Sequence, residues 1–467
     1  MNQNIYNFEY LKNSKAFENS LDAKFKKEHG IYYTDVELAK MMICELNLPP
    51  DTTLMDPCCG MGSFFVAAKE LGYKNIYGAD FDKNITVMCR KLTNEKNIKT
   101  IDTLWSTSKE IYNKFNLKRK VSVVIGNPPY APIDKKLTVD VNDYLFLRNV
   151  KDSGSNLFVA ALYRAMELVE DNGYISYIIP KNFLHVSSYK LLRQKILKEK
   201  KIISIIDIGA YFKGVRGEQI ILTIQNTSPD NNLIVFKKLY SHKLVEMVRV
   251  EQSFFKNEIL FFQNLTDYIL FKKLENTYQK FSDICTGYVG RGKSLSENAI
   301  TGKDIRKFGF KNLSVPKKGN LVFIQNIYSA ESGVIASFAG ELEATQTVTV
   351  FTDGDEKMCR YVVGLLHTRL CNYYLLKFCY NNSKLTMHTD AKYLKKIPLM
   401  KNESTFNQIV NIVKLLENIE YMSSSWFQSL EDLNNLVYDT YNITIDERTY
   451  IDGEMKKMQS KRWNNDR

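Results

Sequence analysis

The sequence predicts a doubly wound α/β sheet over residues 1–230, a mixed α+β region over 231–400, and a helical segment over 401–467 attached to that region. Three observations lead there. Short β-branched runs alternate with segments of helical periodicity up to residue 225, the pattern of successive βαβ units. The early runs halt in Gly, Asp or Asn-Pro, residues that end a strand and open a loop. Past Pro229 the alternation fades, and extended segments mix with helices.

A chain of 467 residues exceeds one ordinary domain and has no difficulty burying a core. Sixty-four Lys and Arg against 52 Asp and Glu give a net charge of +12, which favours a polyanionic partner such as nucleic acid. No run reaches the ~18 apolar residues a membrane span needs. Residues 1–15 are polar and lack the apolar stretch of a secretion signal, so a soluble, cytoplasmic chain without a membrane partner is expected. Eight cysteines lack paired metal spacing: Cys58 and Cys59 are adjacent, and Cys371 and Cys379 lie eight apart. They are read as reduced, mostly buried thiols, with no metal site.

The first element is a helix from Thr34, whose side chain with Glu37 predicts a capping box. Val36, Ala39, Met42, Ile43 and Leu46 fall on one face. Its start presents backbone N–H groups and the Thr34 hydroxyl, both suited to a carboxylate, although an ordinary capped surface helix has the same pattern. A strand over 53–56 then runs into Asp56-Pro57-Cys58-Cys59-Gly60-Met61-Gly62, and a helix follows over 63–71. Gly60 and Gly62 let a ligand lie against the backbone, and Asp56 at the strand tip can take an ammonium group. A third glycine is absent, so a dinucleotide cradle is not supported. The strand over 75–79 delivers Asp80, eighteen residues after Gly62, the spacing at which a carboxylate meets ribose hydroxyls. Phe81 beside it can pack on an adenine. Asp102 follows another short extended segment and can accept from an adenine amino group.

The apolar run Val121, Val123, Val124, Ile125 closes in Gly126-Asn127-Pro128-Pro129-Tyr130. The two prolines remove two N–H donors and bias the preceding residues towards extended backbone. A stiff corner made of acceptors is left. The Asn127 side-chain oxygen and the Pro128 carbonyl can each accept one hydrogen of the same amino group, and Tyr130 offers a flat ring for stacking. Accepting both hydrogens draws the nitrogen lone pair out of conjugation and aims it at an electrophile. Four successive strand ends therefore predict one pocket for an adenosine-bearing ligand beside a planar amine.

Beyond the corner, 156–170 has helical periodicity and includes Phe158, a strand over 174–179 ends in Pro180, a helix covers 187–198, and strands cover 202–206 and 219–224. The loop between the last two contains Tyr211 and Phe212.

Tyr33-Thr34, Asp56-Pro57-x-x-Gly60-x-Gly62-x-Phe64, Asp80, Asp102 and Asn127-Pro128-Pro129-Tyr130, in that order, resemble the motifs of gamma-class, Taq-type DNA adenine-N6 methyltransferases. The resemblance implies a Rossmann-like methyltransferase sheet followed by a target-recognition domain. It implies S-adenosylmethionine as cofactor, with Tyr33, Thr34 and the Asp56 to Gly62 loop near its methionine part, Asp80 on the ribose, Asp102 on the adenine amino group, and Phe81 and Phe158 beside the adenine ring. Asn127, Pro128 and Tyr130 become catalytic, and Phe212, with Tyr211 second, packs against a base flipped out of duplex DNA. A separate cognate restriction endonuclease as companion, and a monomer on double-stranded DNA, are further expectations. Rival readings are RNA adenine-N6 methylation and an inactive, sequence-specific DNA-binding module. Cytosine-N4 enzymes usually carry Ser where Asn127 stands.

In the second half, 233–250 reads as extended, 258–274 as a helix, and 287–293 as a basic glycine loop. The loop matches the phosphate-loop spacing G-x-x-x-x-G-K-S, but no amphipathic helix follows, so Arg291 and Lys293 are assigned to the DNA backbone instead of ATP. A long helix over 357–380 carries Arg360, Arg369 and Lys377 and leads to Lys384, a further DNA contact. Helices over 406–421 and 426–441 read as structural.

Overall fold

The structure is a computed structural model that describes residues 34–133, 144–212, 217–285, 287–382, 387–399 and 402–463. Two compact units divide it, Met1–Gln263 and Asn264–Arg467.

The first unit is built on one nine-stranded sheet: β1 (Thr53–Asp56), β2 (Asn75–Asp80), β3 (Ile98–Thr100), β4 (Val121–Gly126), β5 (Val169–Pro180), β6 (Lys201–Gly209), β7 (Gln219–Gln225), β8 (Leu233–Tyr240) and β9 (Lys243–Glu251). Their spatial order is 3-2-1-4-5-7-6-8-9. Strands β3, β2, β1, β4 and β5 are parallel, and β7 is antiparallel to both neighbours. Parallel strands covered on both faces must be apolar throughout, and Leu54, Met55, Val121, Val123, Val124 and Ile125 are each at most 2% exposed. Each such side chain contributes about 1.5–3 kcal/mol relative to leaving it in water. The chain steps outward from β1 to β3 and restarts from β4 on the other side, so the order reverses between β1 and β4, where open α/β sheets hold their ligands.

Helices α1 (Val36–Leu46), α2 (Ser63–Glu70), α3 (Lys83–Thr93), α4 (Ser108–Phe115), α5 (Tyr144–Asp152), α6 (Leu157–Leu168) and α7 (Lys190–Glu199) connect and flank these strands. Helix α1 buries the expected Val36, Ala39, Met42 and Ile43. Its cap differs from the capping box read at Thr34. Asp35 is the N-cap and accepts from the Leu38 N–H at 2.8 Å. The reason is tertiary: the Ser63 hydroxyl donates to the Thr34 carbonyl, and the Tyr211 hydroxyl donates to Asp35 Oδ2 at 2.6 Å. Helix α2 starts behind Gly62, whose φ is +91°. A Cβ there would lie 2.7 Å from Cys89 Sγ and 2.8 Å from Thr93 Cγ2, so both backbone and packing require glycine.

The sheet continues past the boundary expected at residue 230. Strand β8 pairs parallel with β6, Ser204 opposite Val235, and β9 folds back on β8. The extended segment read over 233–250 thus completes the first sheet, and the unit ends at Gln263.

The second unit has a four-stranded antiparallel sheet of β10 (Val289–Arg291), β11 (Leu321–Gln325), β12 (Ala336–Gly340) and β13 (Val348–Thr352), in the order 10-13-11-12. Its helices are α8 (Leu265–Thr277), α9 (Glu356–Leu366), α10 (Arg369–Tyr374), α11 (Glu403–Asn418), α12 (Ser424–Thr440) and α13 (Ile445–Trp463). The helix read over 258–274 begins only at Leu265, where the Asn264 side chain caps it through the Asp267 N–H. The single helix read over 357–380 is broken at His367, because Thr368 caps a new helix through the Cys371 N–H, and residues Leu375–Cys379 widen into a π turn. None of the eight cysteines is in a disulfide among the described residues, and six of them are buried. Among the described residues no helix is long and apolar enough to cross a membrane.

Candidate active site

Four neighbouring parallel strands, β3, β2, β1 and β4, end at one edge of the first sheet and deliver in that order Asp102, Asp80, Asp56 and Asn127. Each reaches its place because a buried apolar strand stops one or two residues before it or at it. Asp80 ties the edge together. Its Oδ2 accepts from the Gly60 N–H at 3.1 Å and its Oδ1 from the Asp82 N–H at 3.0 Å, so the carboxylate that follows Gly62 in sequence clamps the glycine loop in space. Asp56 Oδ1 accepts from the Cys58 N–H at 3.1 Å. The same oxygen lies 2.6 Å from where a Cβ on Gly126 would stand, so the tip of β1 presses against the residue before Asn127. Asp102 is exposed, and its Oδ1 accepts from the Leu104 N–H at 3.1 Å and the Trp105 N–H at 3.4 Å.

Burial raises all three carboxyls, Asp56, Asp80 and Asp102. Burial, together with the charge of Asp80, pushes the 3%-exposed Asp56 up to about 8, against the Cys58 N–H, which lowers it. Asp80 is pushed up to about 6, chiefly by burial and then by Asp82 and Asp102, against the N–H groups of Asp82 and Gly60. Among the described residues no Lys or Arg figures among the causes of either shift. Such an acidic edge suits a cationic ligand, since an ammonium at Asp56 would repay the desolvation of its charge. The Thr34 hydroxyl is buried and has no hydrogen-bond partner among the described residues, the kind of group a polar ligand satisfies. Cys58 is held as a neutral thiol well above its ordinary range by burial and then by Asp56, Asp80 and Asp102, which removes it as a nucleophile.

At the corner, the Tyr130 hydroxyl donates to Asn127 Oδ1 and to the Ile178 carbonyl, the latter at 2.9 Å. Burial holds the phenol well above its ordinary range, so it stays a donor. The pattern Asn-x-x-Tyr contained this bond, but sequence reasoning assigned Tyr130 only a stacking face. The hydroxyl fixes the ring and orients the Asn127 oxygen, an amide acceptor with two lone pairs.

Other residues fall differently. Phe81 is 52% exposed beside Asp80, and among the described residues its ring is the one expected aromatic with a large accessible face. Phe158 has no exposed surface and packs edge-on against Phe183 and Tyr189, at 6.2 and 5.0 Å between centroids. It sits in the first turn of α6, where neighbouring side chains are buried on every side. Phe212 is also buried, in the core around β4 and β6, with Tyr211 against it at 5.4 Å. Tyr33 and Lys384 lie outside the described residues.

Most of the basic residues read as phosphate contacts have carboxylate partners within the second unit. Arg360, 3% exposed, pairs with Glu417 at 2.9 Å and with Glu356. Lys377 pairs with Glu454 at 2.7 Å and Asp267 at 3.3 Å, and Arg369 pairs with Asp452 and Glu431. Arg291 ends β10 and pairs with Asp390 at 2.8 Å, whereas Lys293 is exposed without an ion pair among the described residues. No helix begins between Lys293 and Ile305.

Residues 29–212 match the family model of the Eco57I restriction-modification methylase. The type II methyltransferase M.VspI of Vibrio sp. (strain 343) is 29% identical over 230 residues, 47% of this chain and 53% of that protein. The type II methyltransferase M.CvrRI of Paramecium bursaria Chlorella virus XZ-6E is 23% identical over 220 residues, 46% of this chain and 53% of that protein. The chain thus spans about half the length of these curated relatives. The DrdV–DNA complex, solved by cryo-electron microscopy, aligns with 89% of this chain and 59% of its own at 12% identity and a TM-score of 0.49, a likeness too low to carry an argument. Over the segment that holds the strand-end carboxyls and the Asn-Pro-Pro-Tyr corner, the chain is similar to restriction-modification methylases of the Eco57I type and to type II methyltransferases.

Proposed function

We propose that this protein moves a methyl group from S-adenosylmethionine to N6 of an adenine flipped out of duplex DNA. The observation that carries the reading is the adjacency of the proline-stiffened Asn127-Pro128-Pro129-Tyr130 corner to Asp56 and Asp80 where the strand order reverses. When bound, S-adenosylmethionine supplies an electrophilic methyl on a sulfonium. Asp56 would hold its ammonium, Thr34 and the Gly60 to Gly62 loop its methionine part, Asp80 its ribose hydroxyls and Asp102 its adenine amino group, with Phe81 along the ring. Tyr33 belongs to the same end of the pocket.

The chain's own groups account for the transfer. Asn127 Oδ1 and the Pro128 carbonyl accept the two N6 hydrogens, which turns the nitrogen lone pair out of the ring. Tyr130 stacks on the flipped base and replaces stacking lost from the duplex, where unpairing costs a few kcal/mol. The proton leaves after the nitrogen has become cationic, so no strong base is required. Duplex DNA is the partner in this reading, a separate restriction endonuclease its companion, and a monomer the form on DNA. Long-read sequencing of DNA from cells that express the chain tests it: N6-methyladenine at one recurrent sequence is expected, and unmodified adenine throughout contradicts it.

A further inference from the structure

The second unit contains a cleft of about 790 Å³, lined by residues from 302 to 335 and from 421 to 430. One side is cationic: Lys303, Arg306, Lys307 and Lys311 all line it. The other is aromatic, with Tyr421, Trp426 and the half-exposed Phe427. No carboxylate lines it. Lys303, Lys307 and Lys311 form no ion pair among the described residues, in contrast to Arg360, Arg369 and Lys377 of the same unit, each committed to a carboxylate.

Two features mark this as a built site. Arg306 is fixed: its Nε donates to the Phe310 carbonyl at 2.9 Å, and its guanidinium lies 4.7 Å from the Tyr421 ring centroid. Trp426 is 3% exposed, and its indole N–H has no hydrogen-bond partner among the described residues, a costly state for a buried donor unless a ligand answers it. Partial burial holds the Lys307 ammonium below its ordinary value. Lysines without an ion pair suit a multiply charged anion, and a cation-stacked aromatic wall suits a flat ring. The volume falls in the range of small-ligand sites, roughly 300–1,000 Å³.

We propose that this cleft binds a nucleotide unit, its phosphate on Lys303, Lys307 and Lys311 and its base along Tyr421 and Phe427, with the Trp426 N–H as donor. The site stands apart from the methyl-transfer reading and does not depend on it. Its nucleotide can come from free nucleotide or from a nucleic-acid strand.

The test is photolabelling of the full chain with 8-azido-ATP in excess S-adenosylmethionine, with labelled peptides mapped by mass spectrometry. Label on peptides spanning 303–311 or 421–430 is expected. In the double variant Lys303→Ala/Lys307→Ala half-saturation should rise at least about tenfold, the loss of one charge-assisted hydrogen bond. An unchanged melting temperature for that variant keeps misfolding apart from lost binding. Displacement of the label by unlabelled ATP at lower concentration than by a single-stranded oligonucleotide assigns free nucleotide, and the reverse order assigns a strand. Label confined to the first unit, no label, or labelling indifferent to the double variant overturns the proposal.

Discussion

Asp56→Asn separates the stability of the free protein from its capacity to hold a cation. In the folded chain this carboxyl is pushed up from 3.8 to about 8, first by burial and then by Asp80. The folded state therefore binds more protons than the unfolded one between those values, so Asp56 makes the free protein less stable as pH rises from about 4 to 8. Each pH unit inside that window costs about 1.4 kcal/mol, which accumulates to about 4 kcal/mol at pH 7. Asparagine removes this cost, but its amide hydrogens meet a site that supplies only a donor, the Cys58 N–H. An unmet buried donor costs about 1–3 kcal/mol, so the variant should be more stable by about 1–3 kcal/mol at pH 7 and no more stable near pH 4. Urea unfolding followed by hydrogen–deuterium exchange of residues 53–80 measures this across pH. Calorimetry with S-adenosylmethionine supplies the second half: wild-type affinity should rise with pH towards 8 as the carboxylate forms. The variant should bind about 10- to 100-fold more weakly, the worth of a charge-assisted hydrogen bond. A stability difference that is flat with pH, or undiminished affinity in Asp56→Asn, refutes the reasoning.

Asn127→Ala should leave cofactor affinity unchanged while single-turnover methyl transfer falls by about 100-fold or more, the scale of one preorganised polar contact in a transition state. Tyr130→Phe keeps the ring and loses only the hydroxyl held by Asn127 and Ile178, so kcat should fall by about tenfold with KM little changed, as expected for one lost hydrogen bond. Gly126→Ala forces a methyl group to within 2.6 Å of Asp56 Oδ1; melting temperature and cofactor affinity should fall together, with overpacking costing about 1–3 kcal/mol. Arg360→Leu strands Glu417, already pushed up to about 7 by burial; thermal unfolding should show a loss of about 3–5 kcal/mol in the second unit, with cofactor binding in the first unit intact.

The row of strand ends that carries Asp56, Asp80, Asp102 and Asn127 was legible because its signals are local. Val121 to Ile125 can only be a buried strand, Gly126 to Tyr130 can only end one, and the spacing from Gly62 to Asp80 is that of a single helix and strand. What sequence reasoning missed depends on partners far along the chain. Thr34 and Asp35 are both good caps, and the choice falls to Asp35 under bonds from Ser63 and Tyr211, the latter 176 residues away. Arg360 and Lys377 looked like phosphate contacts because Glu417 lies 57 residues and Asp267 110 residues distant, and periodicity carries no information about such pairings. Strands β8 and β9 looked like the start of a new domain since a strand does not announce which sheet it will join. Phe158 and Phe212 have an aromatic's usual ambiguity between a ligand wall and a core, and burial resolves it towards the core.

The central claim is that the Asn127 oxygen and the Pro128 carbonyl of a proline-stiffened corner take both hydrogens of an exocyclic amine beside a bound sulfonium. The measurement closest to it is incubation of the purified chain with unmethylated duplex DNA and S-adenosylmethionine carrying a labelled methyl group, followed by digestion to nucleosides. The label should appear in N6-methyldeoxyadenosine. Label on cytosine or on protein, or none on any base, contradicts the account.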